Sequence, residues 1–139
     1  MIDLEWVAPI DLHDHWDLVK DGLAEVNKHG DHWRQEDVYK SIKDGASSLH
    51  LGMMDNEYKG FLITNQYQAH DGIELFIWAC YSNENRQAHL LQETFPQLEE
   101  WAKNIKAKRI VFKSTRKGWA KNTLGFIASP QITYEKAMT

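Results

Sequence analysis

A strand, a long helix and a second strand follow one another within residues 72–114, and this order restricts the possible folds more than any other feature of the chain. Residues 73–80 are almost continuously apolar, which is typical of a strand buried on both faces. After a polar break, apolar residues recur at helical spacing from Leu91 to Ile105, and Arg109–Lys113 predicts a second strand. Two strands joined by one long helix predict a right-handed parallel crossover, so a ligand site is expected where the two strands end.

The rest of the chain adds helices and strands on either side of this unit. Ahead of it, the pattern predicts a strand at 4–7, helices at 12–26 and 35–43, a hairpin of strands 48–54 and 58–64, and a turn at 68–72. Behind it, a short helix at 118–124 and a last strand at 132–135 are expected. These elements predict an α/β (α+β) fold with a mixed central sheet and helices on both faces, in one domain that covers residues 1–139.

Pro96 interrupts the long helical pattern and allows two interpretations. It either kinks one helix, or it lies in the first turn of a new helix that Thr94 caps, with Gln97 completing a capping box. The restart is the preferred interpretation, because it also explains the apolar residue just before the proline.

Composition excludes several classes of protein. The chain is 42% apolar and 12% aromatic, and no apolar run approaches the length of about 20 residues that a membrane helix needs. Its acidic start is unlike a signal peptide. Cys80 is the single cysteine, so no intramolecular disulfide can form, and a reducing, intracellular compartment is expected. Because Cys80 lies among apolar residues, it is interpreted as inert core rather than as a nucleophile.

Charge is distributed unevenly along the chain. Residues 1–100 carry 7 Lys/Arg and 19 Asp/Glu, whereas residues 101–134 carry 8 Lys/Arg and no acidic residue. The basic segment is either a set of solvated helix flanks and loops, or an anion site for a phosphorylated cofactor or an acidic partner. Nucleic acid is the less favoured partner, because the acidic part of the chain would repel it.

The seven histidines give no indication of a metal site. Two pairs are close in sequence, His13 with His15 and His29 with His32, but neither has the cysteine or HExxH partners of known zinc sites. No metal is therefore expected.

The predicted order β-α-α-β-β-β-α-β-α-β resembles that of the GNAT (Gcn5-related N-acetyltransferase) superfamily over nearly the whole chain. Four segments are similar to small GNAT-like proteins encoded by tailed bacteriophages, and they are Glu36–Tyr39, Gly60–Thr64, Glu74–Ala79 and Arg116–Trp119. The resemblance implies a GNAT-like acyl-CoA N-acyltransferase fold. It also implies that acetyl-CoA is the cofactor and lies in a wedge where two central strands splay apart, which are residues 73–81 and 109–113 here.

In that family, a loop of pattern Q/R-x-x-G-x-G/A follows the first of these strands and holds the pyrophosphate through backbone N–H groups at the start of a helix. The matching stretch here, residues 82–89, contains no glycine; within it Arg86 is suited to pair with a phosphate, whereas Glu84 would oppose one. Backbone donors near the end of the first strand are expected to hold the thioester carbonyl. The resemblance implies that the cofactor-binding residues are Tyr81, Asn83, Arg86, Lys117 and Gly118.

The resemblance also implies catalytic roles for two residues. The family often uses a Tyr four residues before the Gly-Phe of its last helix as general acid to the leaving thiolate, and Lys121 stands at that place here. Glu74, on the first strand of the wedge, stands where many members carry the general base that deprotonates the amine.

Two functions remain open from the sequence. The favoured one is a GNAT-fold protein with a degenerate acyl-CoA site that acts as a non-catalytic binding module or virion accessory of a phage, because the loop glycines and the Tyr are missing. The alternative is an active acetyl-CoA-dependent N-acetyltransferase that acts on an amine. The partner is accordingly an acyl-CoA or another protein. The expected location is the cytoplasm, or the host cytoplasm or virion if the protein is phage-encoded.

Overall fold

The computed structural model of the chain describes residues 1–27, 33–84, 87–112 and 136. One five-stranded sheet runs through this part, and its strands are β1 (Asp3–Val7), β2 (Ser47–Met54), β3 (Glu57–Ala69), β4 (Gly72–Ser82) and β5 (Ala107–Phe112). The helices among the described residues are α1 (Leu12–Asn27), α2 (Gln35–Lys43) and α3 (Gln87–Asn104), and a 3-10 turn at Pro9–Asp11 leads into α1. The predicted helix at 118–124 and last strand at 132–135 lie outside the described residues.

The strands follow one another across the sheet in chain order. Neighbouring strands from β1 to β4 are antiparallel, whereas β4 and β5 are parallel and are joined through α3. The predicted mixed sheet and parallel crossover are therefore confirmed. A parallel pair needs such a long connection, because the chain must return to the same end of the sheet before it continues.

Hydrophobic side chains alternate between the two faces of the sheet, as the strand period of two requires. The face covered by α1 and α2, called the α1–α2 face, has a core that includes Val19, Leu23, Val38, Ile42, Leu49, Leu51, Phe61, Ile63 and Ala79. The face covered by α3, called the α3 face, has a core that includes Leu62, Leu75, Ile77, Leu91, Phe95, Leu98 and Ala102. In its central part β4 alternates between buried and half-buried side chains, so it is less completely covered than the apolar run predicted.

The strand β3 is longer than its apolar pattern predicts. It continues to Ala69, so the predicted turn at 68–72 shrinks to the two residues His70 and Asp71. Polar side chains at 65–68 indicate a loop when they are considered alone. In the fold they extend the ladder with the first half of β4, because Asn65 pairs with Phe76 and Tyr67 with Glu74.

The predicted restart of the helix at Pro96 is wrong. α3 runs without a break from Gln87 to Asn104 with the proline inside it. Thr94 does not cap a new helix, since its Oγ1 donates a hydrogen bond of 2.8 Å back to the carbonyl of Leu90, one turn earlier. Thr94 is fully buried, so this bond also satisfies a hydroxyl that would otherwise be costly in the core.

Two side chains of α3 bind the outer backbone edge of β1. The Ile2 N–H donates to Glu93 Oε1 at 3.0 Å, and the Leu4 N–H donates to Gln97 Oε1 at 2.6 Å. Gln97 Nε2 in turn donates to the Ile2 carbonyl at 2.8 Å. The side-chain amide of Gln97 therefore makes the same pair of bonds that a neighbouring strand would make.

A buried imidazole lies between the sheet and the last turns of α3. His50 is 3% exposed, its Nε2 is 3.3 Å from Thr64 Oγ1, and its ring meets the ring of Trp101 edge-on at a centroid distance of 4.8 Å. Burial lowers the pKa of His50 to about 4, because the charged form would lose its hydration. His50 is therefore neutral at physiological pH.

Candidate functional site

The two halves of β4 differ in how their backbone is paired. The inner half, Gly72–Ile77, pairs with β3 on one side and with β5 on the other, where the last pair is Ile77 with Phe112. The outer half, Trp78–Ser82, continues to pair with β3. Because alternate residues of a strand direct both backbone polar groups to the same side, one row of N–H and C=O groups in the outer half faces away from β3.

A bulge at Trp78 separates the two halves. Ile63 of β3 pairs with Ala79 and Thr64 pairs with Ile77, so Trp78 is an extra residue on β4. Both Trp78 and Ala79 consequently pack on the α1–α2 face, where the Trp78 ring meets the Trp33 ring edge-on at 6.1 Å. Bulges bend a strand and change its twist, so the course of β4 changes at this point.

The side chain of Tyr81 belongs to the core rather than to the gap beside β4. Its ring stacks on Phe61 at 5.5 Å, and both rings lie directly against Gly22 of α1. Next to it, the Tyr58 hydroxyl donates to the Leu18 carbonyl at 3.4 Å. The pKa of Tyr58 is raised above its usual range, mainly by burial and to a smaller extent by the neighbouring Tyr81. Its backbone is directed to β3 as well, because Asn83 and Lys59 are hydrogen-bonded and hydrogen-bonded pairs alternate along an antiparallel ladder, so the predicted cofactor contact at Tyr81 stays a prediction.

Asn83 is occupied by contacts within the protein. Its backbone N–H donates to the Lys59 carbonyl at 3.0 Å, and its side-chain Nδ2 donates to the Tyr58 carbonyl at 2.7 Å. These bonds extend the pairing of β3 with β4 by one residue and fix where the chain leaves the sheet. Asn83 thus has a structural role, and its role in cofactor binding stays a prediction.

Lys59 forms a charge pair with Glu84, the acidic residue that opposes phosphate binding in the sequence prediction. Lys59 Nζ is 3.3 Å from Glu57 Oε2 and 3.4 Å from Glu84 Oε1, and its side chain is 17% exposed. Hydrogen bonds to Glu57 and then to Glu84 raise the pKa of Lys59. Because a cation already faces Glu84, the repulsion between Glu84 and an incoming phosphate is reduced.

The amino terminus of α3 follows β4 closely and adds a favourable field for anions. α3 begins at Gln87, and its first turn contains no acidic residue. The first backbone N–H groups of a helix have no partner within the helix, and they carry the positive end of its dipole. This helix end is therefore suited to a phosphate, as the sequence predicts.

Glu74, the predicted general base, lies in the inner half of β4 and is engaged by a cation. Its Oε1 accepts a hydrogen bond of 2.7 Å from Arg109 Nη1, and Arg109 Nη2 also donates to Asp71. Asp71 and then Glu74 raise the pKa of Arg109. These contacts link the start of β5 to β4 and to the turn before it. Glu74 accepts the bond from Arg109 through Oε1, so Oε2 is the oxygen that this bond does not use.

Four of the predicted site residues lie outside the described residues. They are the cofactor-binding candidates Arg86, Lys117 and Gly118 and the catalytic candidate Lys121.

A hydrogen-bonded chain of side chains on the α1–α2 face was not predicted from the sequence. It links Ser41, Ser47, Asn65 and Tyr67. The signal that was missed is the spacing of two along β3, where Phe61 and Ile63 are followed by Asn65 and Tyr67 on the same face. The pattern predicts a strand that ends at Thr64, so it leaves Asn65 and Tyr67 outside the strand.

The described ranges contain no group of three or more metal-binding side chains, and none of their helices is long and apolar enough to cross a membrane. No protein-family model matches the chain, and no curated protein sequence resembles it significantly.

Solved structures do resemble the fold over almost its full length. One is a ribosomal-protein-alanine N-acetyltransferase from Brucella melitensis biovar Abortus 2308, with a TM-score of 0.72, 14% identity and coverage of 100% of both chains. Another is AAC(6')-Iy in complex with a CoA bisubstrate analogue, with a TM-score of 0.68, 11% identity and coverage of 100% of this chain and 99% of the other. A third is a predicted acetyltransferase with acetyl-CoA from Clostridium acetobutylicum, with a TM-score of 0.69, 10% identity and coverage of 98% and 96%. The fold of the chain is that of the GNAT acetyltransferases.

Proposed function

We propose that the chain is an acyl-CoA-dependent N-acyltransferase that binds its cofactor along the outer half of β4 and acylates an amine. The observation that carries the proposal is the course of β4, whose outer half follows a bulge and leads to the amino terminus of α3. This arrangement would bring an extended, amide-containing ligand alongside β4 and its phosphates to a helix end.

The residues present fit such a ligand in three respects. The outer half of β4 directs alternate backbone groups away from β3, the first turn of α3 has no acidic residue, and Glu84 is paired with Lys59. The loop without glycine is the unfavourable feature, because a side chain limits how closely a phosphate approaches the backbone. Weaker binding than in a glycine-rich loop is therefore expected, rather than none.

The chain's own residues would bind and orient the reactants. Bound acetyl-CoA would supply an activated acyl group as a thioester. Backbone N–H groups of the outer half would donate hydrogen bonds to the thioester oxygen, where negative charge develops. Glu74 would accept the proton of the amine through Oε2, directly or through water, and Lys121 would donate a proton to the leaving thiolate.

The amine class of acceptor agrees with the solved structures that share the fold. One is named for alanine N-acetylation of a ribosomal protein, and another is described as an aminoglycoside acetyltransferase in complex with sisomicin. These names concern those proteins, and they support only the general class of acceptor for this chain.

Thermal-shift and calorimetric titrations with CoA and acetyl-CoA test the first step. A ligand that binds only the folded protein must raise its melting temperature, so a concentration-dependent rise is expected. Glu84→Gln should increase the affinity for CoA, because it removes a negative charge beside the phosphate site. Glu57→Gln, which also removes a carboxylate that contacts Lys59, is the matched control and should change the affinity less. No shift with any acyl-CoA in the wild type would refute the proposal.

Release of free thiol from acetyl-CoA, measured across a panel of primary amines that includes lysine peptides, tests the second step. A non-catalytic binding or virion accessory module is the second candidate function. It is favoured by the contact of Glu74 with Arg109, which holds the predicted base in an ion pair. Binding of acetyl-CoA without thiol release on any amine would favour that candidate over the enzyme.

A further inference from the structure

The outer edge of β1 is closed at one end and open at the other. At the closed end Gln97 of α3 accepts the N–H of Leu4, as described above. One turn further along α3 lies Trp101, whose ring centroid is 6.2 Å from that of Trp6. An indole carries a hydrogen-bond donor and no acceptor, so this turn of α3 supplies no acceptor for the N–H of Trp6.

The ladder between β1 and β2 sets the direction of the backbone groups at Trp6. Leu4 lies opposite Gly52 and turns its N–H outward, and Trp6 lies opposite His50, two residues further along. Alternate residues of an antiparallel strand direct their N–H and C=O groups to the same side, so both groups of Trp6 also face outward. Among the described residues no strand lies beyond β1, and Trp6 is 51% exposed.

The open part of the edge is short, because the chain turns away after Ala8. Ala8 still has an extended backbone, with φ −62° and ψ 145°, and its carbonyl accepts the N–H of Asp11 at 2.9 Å in the 3-10 turn. Its N–H faces outward like that of Trp6, by the same alternation. The outward groups that remain are therefore, in order, the Leu4 C=O, the Trp6 N–H, the Trp6 C=O and the Ala8 N–H.

This row of donors and acceptors is complementary to itself. When β1 lies antiparallel to the β1 of a second copy, with Trp6 opposite Trp6, each Trp6 N–H meets the Trp6 carbonyl of the other copy. In the same register each Ala8 N–H meets the Leu4 carbonyl of the other copy. The Leu4 N–H and the Ala8 C=O would be the next pair, and both are already bonded within each copy. A two-fold axis at Trp6 thus gives every outward group a partner.

The side chain of Trp6 fits the same arrangement. Leu4 packs against the core of the α3 face, and Trp6 shares that face because it lies two residues further along the strand. Directly opposed residues of a hydrogen-bonded antiparallel pair have their Cα atoms about 5.5 Å apart, so the two Trp6 rings would meet at the seam. Trp6 and Trp101 of both copies would then form one continuous row of four indoles.

We propose that the Trp6 edge of β1 is the interface of a two-fold symmetric dimer, in which the β1 strands of two copies pair antiparallel and join the two sheets. The partner is a second copy of this chain, because the donors and acceptors match under a two-fold axis. Each copy has one such edge, so the pairing closes at two copies. The contact is short, and the dimer therefore belongs to the weak, concentration-dependent class.

One charge opposes this pairing and gives a test of the register. Glu5 is exposed on the other face of β1, and the proposed register places it diagonally across from Glu5 of the second copy, at about 7 Å. Glu5→Gln should therefore strengthen the dimer about threefold. Asp14→Asn removes the same charge from an exposed position on α1 and should leave the dissociation constant unchanged. Equal effects of the two changes would contradict the register.

Sedimentation equilibrium of the full chain from about 10 μM to about 1 mM tests the dimer itself. A monomer–dimer equilibrium is expected in the wild type. Trp6→Lys should weaken it at least about tenfold, because it removes the aromatic contact and opposes two like charges across the seam. Leu18→Lys is the matched control, since Leu18 is 45% exposed on α1, and it should leave the equilibrium unchanged.

Amide hydrogen exchange of the wild type tests the same edge without any substitution. The N–H of Trp6 should be protected at the high concentration and exchange freely at the low one, whereas the N–H of Leu4, bonded to Gln97, should be protected at both. A chain that stays monomeric up to 1 mM, a dimer that Trp6→Lys leaves intact, or exchange at Trp6 that does not depend on concentration overturns the proposal.

Discussion

The inner and outer halves of β4 belong to one strand but are built in different ways. The inner half has strand partners on both sides, and Leu75 and Ile77 are buried in the core of the α3 face. In the outer half the side chains of Ala79 and Tyr81 are held by the α1–α2 face, while one row of backbone groups faces away from β3. Among the described residues, the inner half is thus held between two strands and the α3 core, whereas the outer half is held by β3 and by the α1–α2 face.

This difference matters for the proposed function, because the outer half is the part of β4 that is proposed to bind the cofactor. A ligand that pairs with backbone groups requires a strand and its position, and it makes few demands on side-chain identity. The fold as a whole tolerates extensive change of side chains, since the TM-score with a solved acetyltransferase is 0.72 at only 14% identity. The comparison of the two halves can be tested by changing each in turn.

The largest effect is expected from the core of the inner half. Leu75 is fully buried, so Leu75→Ala should lower the free energy of unfolding by about 3 kcal/mol through lost burial and the cavity left behind. Cys80→Ala, in the outer half, removes a small, half-buried side chain and should cost less than about 1 kcal/mol. Urea unfolding measures both. Equal costs would contradict the distinction between the halves.

Acidification is expected to lower the free energy of unfolding nearly as much, through His50 in β2. The pKa of His50 is lowered from 6.5 to about 4 by burial, so between these values the unfolded chain binds a proton that the folded chain does not. Stability is fully present above pH 6.5 and is lost as the pH falls towards 4, by about 3 kcal/mol in total. Urea unfolding from pH 7 to pH 4 measures this loss. His50→Gln should flatten the profile in that range, and an unchanged profile would show that other groups cause the loss.

Enzyme kinetics test whether the inner half of β4 also takes part in catalysis, because the predicted base Glu74 lies there. If Glu74 is the general base, Glu74→Gln should lower kcat/KM by about 100-fold. Arg109→Gln breaks the same ion pair but keeps the carboxylate, so it should leave kcat/KM within about threefold of the wild type. Steady-state thiol release measures both variants. Equal effects of the two changes would assign Glu74 to holding β5 rather than to proton transfer.

A smaller effect on stability than that of Leu75→Ala is expected where the outer half meets α1. A Cβ at Gly22 would lie 2.7 Å from both Phe61 Cε2 and Tyr81 Cδ2, so one of the rings must move. Gly22→Ala gains helix propensity and loses packing, with a net cost of about 1 kcal/mol. Because the displaced Tyr81 carries the backbone of the outer half, the affinity for CoA should fall as well. Calorimetry that shows unchanged CoA binding would mean that the outer half is held independently of this contact.

The strand–helix–strand order was predictable because each element has a long, regular pattern. The apolar run of β4 and the stripe of α3 together allow few topologies, and the ladder from Ile73 with Ala107 to Ile77 with Phe112 confirms the parallel pairing. The bulge at Trp78 was not predictable, since it depends on which residue of β3 lies opposite. The continuation of α3 through Pro96 depends equally on contacts outside the helix, such as those of Gln97 with β1.

The sequence predicts a place for the candidate site but not the contacts around it. The ends of parallel strands are where a ligand is expected to bind, which here are the residues after Tyr81. The ion pairs of Glu74 with Arg109 and of Glu84 with Lys59 join residues that are 35 and 25 positions apart. No local pattern encodes such pairs, because they arise only when the register of the strands is set.

The amide of Gln97 on β1 has a consequence for the behaviour of the protein at high concentration. A bare outer strand can recruit a strand from a neighbouring molecule and start a growing cross-β assembly. Here the positions that an incoming backbone would take at Ile2 and Leu4 are filled from within the same molecule. Polymerisation through this part of the edge therefore requires that α3 first detaches from Ile2 and Leu4. The shelf life of concentrated solutions should accordingly depend on that local opening more than on the melting temperature.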